Sequence, residues 1–420
     1  MTAPAMLARR LGTFDAVVIG LGSMIGAGVF AAFAPAAAAA GSGLLIGLAL
    51  AAGVAYCNAV ASAQLATQYP TSGGTYVYGR ERLGPWWGFL AGWGFVIGKT
   101  ASCAAMALTF AAYAVPGDAW LQRLVGVNAL LVLTAVNLRG ITRTAGLARL
   151  LVAGSLLALL VVVAAILASG KASPANLGPL EVPDGPYGVL QSAGLLFFAF
   201  AGYARIATLG EEVRDPAVTI PRAIPIALGI VVLLYLVVGT AALLAAGPMA
   251  LAASAAPLAT AVEAVGAAWA QPVVRAGAAL ASLGALLALI AGIGRTALAM
   301  AREGDLPGWL GSVHPRLRVP DHAEMAVAVV VAALVMTTDL RGAIGFSSFG
   351  VLTYYAIANA SAWTQDDEHR RWPRSLNVAG LVGCVVLVAT LPIEAVAAGA
   401  SVLAVGVVGR TLSREWGRRA

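Results

Sequence analysis

This sequence predicts an all-α polytopic membrane protein, and three observations carry that reading. Of the 420 residues 60% are hydrophobic and only 11% are charged, against about 25% charged in soluble domains. The apolar residues run in unbroken stretches of spanning length instead of alternating, which excludes an outer-membrane barrel. A chain this apolar is not a disordered one either. At roughly 20 residues per crossing, the length holds about 12 transmembrane helices in one domain covering 1–420. The third observation is where the arginines fall.

Apolar runs of crossing length lie at 13–40, 44–66, 87–114, 121–138, 148–169, 187–209, 222–246, 272–300, 323–338, 342–363, 375–391 and 393–409. Arg9 and Arg10 precede the first run, which is longer than the h-region of a cleaved signal and is expected to stay in the mature protein. Cys57, Cys103 and Cys384 sit singly inside apolar runs and read as small packing residues, not as a disulfide framework or a metal site. Most basic residues fall at the N-terminus, in every second connection and at the C-terminus. Examples are the pair Arg80 and Arg82, the trio Arg370, Arg371 and Arg374, and Arg410, Arg414, Arg418 and Arg419. The opposite side holds Arg123, Lys171, Arg275 and Arg341. The positive-inside rule then puts both termini in the cytoplasm of a cell inner membrane. The net charge of +7 is therefore a topology signal, and no nucleic-acid partner is expected; the partner is the lipid bilayer.

Two runs carry breaks. The first contains Gly20, Gly22, Gly26 and Gly28 at mid-membrane depth, and each glycine costs about 1 kcal/mol in a helix interior. Close helix packing through small residues is the competing account of that cluster. The sixth run carries Phe197-Phe198-Ala199-Phe200-Ala201-Gly202-Tyr203 at similar depth. Five spans separate the two, and an odd number reverses direction, so 13–169 and 187–363 are expected to be inverted repeats, with 375–409 adding two helices. Interrupted segments at matching positions of two halves point to a transporter binding site.

Polarity follows from the backbone. Past the first break, the half-helix starting at Gly26 to Gly28 presents unpaired N–H groups and a positive dipole end, which suit a carboxylate. The first half of the sixth span ends at Phe200 to Gly202 and offers carbonyls, which suit an ammonium. Two such poles describe an α-amino acid. The substrate-binding candidates are Ser23, Met24, Ile25, Gly26, Ala27 and Gly28 with Phe200, Ala201, Gly202 and Tyr203. Phe200 and Tyr203, with Met24 and Met106, are candidates for a gate or a side-chain pocket, with core packing as the alternative.

These residues also resemble a known family, the amino acid–polyamine–organocation superfamily of permeases, in its cationic amino-acid transporter branch. Gly20 to Phe30 is similar to that family's first-helix signature, and Phe197 to Tyr203 followed by Gly210-Glu211-Glu212-Val213-Arg214-Asp215-Pro216 to its sixth. Gly294 to Pro307 and Phe346 to Asn359 give two further matches. The resemblance implies a five-plus-five inverted repeat with two extra C-terminal helices, and uptake or exchange of amino acids or amines by alternating access. Two departures stand out. Tyr203 is followed by Ala204 where cationic relatives often have an acid, and the fifth run lacks the lysine that proton-coupled relatives often carry there.

Lys99 lies about 12 residues into the third run, near the midplane at about 1.5 Å per residue. An ionisable group at that depth is a functional candidate. It is read as the coupling residue, titrating with transported protons; pairing with a substrate carboxylate and a structural role on break carbonyls are the alternatives. Arg205 and Glu211 are gating candidates, with simple structural pairing as the alternative. Asp15 reads as a charge at a helix start. His314, His322 and His369 match no metal spacing, and no metal or other cofactor is expected. An intramembrane enzyme would need more than the Lys99 and Ser102 pair at helical spacing. The expectation is a secondary active amino-acid permease, proton-coupled and taking a neutral substrate, with an exchanger or a non-transporting amino-acid sensor as alternatives.

Overall fold

The computed structural model describes residues 11–70, 73–139, 144–177, 182–210, 212–317 and 319–419. Among them the chain is helical, with no named strand. The first apolar run is divided into α1 (Thr13–Met24), α2 (Ala27–Ala31) and α3 (Phe33–Ala40), and the second is α4 (Leu44–Gln68). A short helix, α5 (Thr75–Leu83), precedes α6 (Pro85–Ala114), α7 (Ala119–Leu138) and α8 (Thr144–Ala168). The sixth run comprises α9 (Gly185–Phe200), a 3₁₀ turn at Ala201–Tyr203 and α10 (Ala204–Ala207). Then come α11 (Pro216–Ala252), α12 (Pro257–Ala264), α13 (Gln271–Arg302), α14 (Asp321–Thr337), α15 (Leu340–Trp363), α16 (Arg374–Thr390) and α17 (Ile393–Arg419).

Every apolar run thus holds helix, and nine segments among the described residues are long and apolar enough to cross a membrane. The chain is an all-α polytopic membrane protein. The nine differ from the twelve runs for physical reasons. α14 and α16 have 17 residues each, the short end of the spanning range. α15 has 24 residues but spreads Ser347, Ser348, Thr353, Asn359 and Ser361 among its apolar ones and is not among the nine. Two helices went unforeseen: α5, with Arg80 and Arg82 in its last turn where they complement the helix dipole, and α12 between α11 and α13.

Large aliphatic side chains face outward, among them Leu150, Leu160, Leu233 and Val329, each more than 60% exposed. Soluble proteins rarely expose such surface, and lipid is the solvent that accepts it. Inside, small residues set the packing. α6 lies against α13 and α15, and a Cβ on Gly350 would fall 2.6 Å from the Gly94 carbonyl oxygen, so these two backbones touch. The Ser102 and Ser347 hydroxyls meet across the same seam at 2.7 Å. A second group forms where α4 packs on α9 and α11, and α1 on α11.

One end of the bundle is closed by an ionic node. The Asp305 carboxylate, with its side chain fully buried, accepts from Arg410 at 2.7 Å, from Arg80 at 3.1 Å and from the Tyr76 hydroxyl at 2.9 Å. The Arg410 guanidinium, itself fully buried, lies 4.4 Å from the Trp86 ring centre and 4.7 Å from that of Phe89, a cation–π arrangement. Burial and the Asp305 carboxylate push the Tyr76 hydroxyl well above its ordinary range, so it stays a donor. The node fastens α5, α6, the end of α13 and α17 together. Replacing Asp305 with Ala removes the buried carboxylate that Arg80 and Arg410 share and is expected to cost about 3–5 kcal/mol, whereas Glu303→Ala removes a half-exposed partner of Arg80 and costs under about 1 kcal/mol. Thermal unfolding in detergent, run on both variants, checks the contrast.

Candidate functional site

The first interruption is a single tight turn. Ile25 has φ −79° and ψ 69°, the geometry of an inverse γ-turn, and Gly26 N–H donates to the Met24 carbonyl at 2.8 Å. Helical bonding ends with Ile25 N–H on Leu21 and resumes at Ala27. Ala27 N–H, the first donor of the outgoing half-helix, meets only the Met106 thioether among the described residues, at 3.2 Å. Sulfur is a weak acceptor, so this N–H keeps most of its capacity for an anion. Ser23 turns its hydroxyl back onto the Ile19 carbonyl at 2.9 Å, away from the break.

Only one of the four glycines, Gly26, lies at the turn. The other three stay helical and allow close approach: a Cβ on Gly20 would strike Ile206, on Gly22 Val152, and on Gly28 would lie 2.6 Å from Cα of Ala199. The cluster therefore serves both accounts drawn from the sequence, the break and the packing.

The second interruption is milder than an unwound segment. Ala201 (φ −64°, ψ 0°) and Tyr203 (φ −64°, ψ −20°) stay right-handed, and the helix merely tightens to 3₁₀. Tightening changes which carbonyls are bonded within the helix, and side chains from other spans meet them. Ala201 C=O accepts from Lys99 Nζ at 3.2 Å and from the Tyr355 hydroxyl at 3.3 Å. Ala199 C=O accepts from the Tyr235 hydroxyl at 3.1 Å, and the same hydroxyl reaches Met24 C=O at 2.6 Å.

The two interruptions touch. A Cβ on Gly202 would sit 2.1 Å from the Ser23 carbonyl oxygen and 2.6 Å from Met24 N, so only glycine permits this crossing of backbones. Ser23 to Gly28 and Phe200 to Tyr203, assigned together from the sequence, do come together. Phe200 and Tyr203 are fully buried. Phe200 lies 5.2 Å from the Tyr235 ring, and Tyr203 stacks on Tyr355 at 4.9 Å. In this conformation both are packed aromatics.

Lys99 is buried and its ammonium caps the sixth-span break, which unites the structural account with its placement at the site. Arg205 pairs with Glu212 at 3.6 Å and with the Thr208 hydroxyl at 3.3 Å; Glu211, the other gating candidate, lies outside the described residues. Asp15 accepts from Gly12 N–H at 3.1 Å and pairs with Arg149, as a helix-start charge does. Tyr235 and Tyr355 were missed. Tyr235 lies in a run whose other hydroxyl is Thr240, and Tyr355 stands beside Thr353 and Tyr354; in a membrane such groups must find partners, and that was the available signal.

An apolar helical bundle with two interrupted helices in contact is the architecture of a membrane transporter. The chain belongs to the amino acid permease family, whose model matches residues 11–412. It is 61% identical over 417 residues to an uncharacterized transporter of Mycobacterium tuberculosis, covering 99% of this chain and 94% of that one. It is 27% identical over 397 residues to the branched-chain amino acid permease of Bacillus subtilis, covering 89% and 84%. With the human cationic amino acid transporter 4 it shares 29% over 384 residues, 86% of this chain and 60% of that protein.

The crossing at Gly202 is directly testable. Gly202→Ala is expected to abolish transport and lower the yield of folded protein, because the methyl group would have to displace backbone. Gly229→Ala, with nothing within 4 Å of the added carbon, should be tolerated and gain up to about 1 kcal/mol of helix propensity. Uptake and detergent melting temperature of the two variants, measured side by side, separate them.

Proposed function

We propose that this protein is a secondary active permease that couples inward movement of a neutral amino acid to protons by alternating access. The observation that carries the reading is the contact between the two interruptions, with a poorly satisfied N–H at Ala27 facing one way and capped carbonyls at Ala199 and Ala201 the other. A substrate carboxylate takes the place of the Met106 thioether at Ala27 and Gly28. Its ammonium is held by carbonyls of Phe200 to Gly202. Ala204 in place of an acid after Tyr203 leaves a cationic side chain without a counter-charge, which favours a neutral one. The chain does no covalent chemistry in this scheme and uses no cofactor.

Twelve crossings arranged as inverted repeats 13–169 and 187–363, plus 375–409, suit this cycle, with both termini on the cytoplasmic side of the inner membrane. The packing supports a division of labour: the runs at 13–40, 44–66, 187–209 and 222–246 pack on one another, while α6, α13, α14 and α15 form a second group. Lys99 bridges the groups, since it sits on α6 and holds the Ala201 carbonyl. Protonated, it donates a charge-assisted hydrogen bond to Ala201 and keeps the sixth-span break formed; on losing its proton to the cytoplasm it becomes a neutral amine with a weaker hold on that carbonyl, and the substrate leaves. Proton and substrate thus bind the same conformer, which is the linkage symport requires. Arg205, paired with Glu212 just past the sixth run, serves with Glu211 as the gate.

Uptake into proteoliposomes tests this, beginning with leucine, isoleucine and valine because of the branched-chain relative. An imposed inward proton gradient should drive accumulation, and Lys99→Met should abolish accumulation while leaving counterflow. Brisk counterflow with no driven accumulation in the unmodified protein would make it an exchanger, and no flux of any amino acid would overturn the proposal.

A further inference from the structure

The two interrupted helices are joined by one hydroxyl, and neither the sequence motifs nor the proposed cycle assigns it. Tyr235 stands on α11, 1% exposed, with its oxygen 2.6 Å from the Met24 carbonyl and 3.1 Å from the Ala199 carbonyl. A phenol has one proton. Two acceptors from two different helices therefore share it, and each is a carbonyl at an interruption. Two carbonyl oxygens converging in a buried place repel unless a donor lies between them, and unsatisfied polar groups there are costly.

The shared proton sits where the geometry of both breaks is decided. Met24 C=O is the acceptor of the γ-turn bond from Gly26 N–H at 2.8 Å, so Tyr235 grips the carbonyl that closes the first break and fixes the direction of Ala27 N–H one residue later. Ala199 C=O lies two residues before Ala201, the carbonyl capped by Lys99 and Tyr355. The ring of Tyr235 is also held, against Phe200 at 5.2 Å with a 50° tilt. The geometry points to Tyr235 as the positioning residue of the substrate site: its single hydroxyl proton ties the γ-turn of the first span to the carbonyl pole of the sixth, so that both breaks are formed or lost together. This rests on the amino-acid reading above for its substrate, and on the coordinates alone for the tie.

Tyr235→Phe keeps the ring and its contact with Phe200 and removes only the O–H. The matched control is Tyr113→Phe, because the Tyr113 hydroxyl also caps a buried carbonyl, Phe30 C=O at 2.7 Å, but reaches no second break. Backbone hydrogen exchange in lipid nanodiscs needs no substrate. Tyr235→Phe should accelerate exchange by about ten-fold or more at both 24–28 and 199–204, and Tyr113→Phe only around Phe30 and at Leu258, whose N–H donates to the Tyr113 hydroxyl at 3.2 Å. Acceleration at one break alone, or at neither, would overturn the tie.

Transport gives the second readout. For Tyr235→Phe the KM of a transported amino acid and the inhibition constant of its desamino carboxylic acid should both rise, by about ten-fold for the amino acid, because the missing proton loosens the N–H pole that holds the carboxylate together with the carbonyl pole that holds the ammonium. A rise in one constant alone, or in neither, would overturn the tie. If the unmodified protein moves no amino acid, the substrate reading fails, and coupled exchange at the two breaks still decides the tie by itself.

Discussion

Backbone polar groups inside a bilayer have no water to turn to, and every other feature of this molecule is arranged around that constraint. An unbroken helix satisfies it internally. A helix that is interrupted to make room for a solute exposes N–H and C=O groups at the point of greatest cost, and the protein must find partners for them from other spans. Here the partners are few and specific. Tyr235 from α11 serves Met24 and Ala199, Lys99 from α6 and Tyr355 from α15 serve Ala201, and Met106 from α6 is the weak partner of Ala27. The weakest of these contacts lies at the N–H that best suits an anion.

That arrangement also explains the aromatic character of the centre. A hydroxyl carried on a rigid ring can be aimed at a carbonyl across a helix interface with little loss of conformational freedom, while the ring fills volume. Tyr203, Tyr355, Phe197, Phe200 and Tyr235 pack into one another around the sixth-span break. Alongside them, the Asn359 side chain donates to Asn58 at 2.6 Å and links α15 to α4. Each polar contact joins helices from the two packing groups or ties one interruption to a neighbour, so relative motion of the groups must exchange these bonds and cannot simply slide over them.

At one end of the bundle a different economy holds. Arg80, Arg82 and Arg410 belong to the basic residues that set orientation when the sequence is read alone. In the structure Arg80 and Arg410 converge on the buried Asp305, and Arg82 holds the Thr364 carbonyl at the end of α15. A residue counted as a loop charge thus also fastens α17 to the rest of the bundle. Composition cannot show this, because the same arginine satisfies the positive-inside bias whether it is solvated or buried against a carboxylate.

The class of protein was legible in composition and run length, since bilayer thickness fixes helix length whatever the packing. The positions of the two breaks were legible to within a few residues, because the Gly20 to Gly28 cluster and Gly202 mark where helix is cheap to leave or where backbones meet. The burial of Lys99 was legible from its place in the middle of an apolar run. What only tertiary structure decided is which glycine turns the chain and which three merely let a neighbour approach, that the sixth-span break is a 3₁₀ tightening, and which hydroxyl meets which carbonyl. Such pairings join residues from 36 positions apart, as Ala199 and Tyr235 are, to 211, as Met24 and Tyr235 are. A sequence states that a buried hydroxyl needs a partner, but only the folded chain, by bringing a particular carbonyl within reach, chooses it.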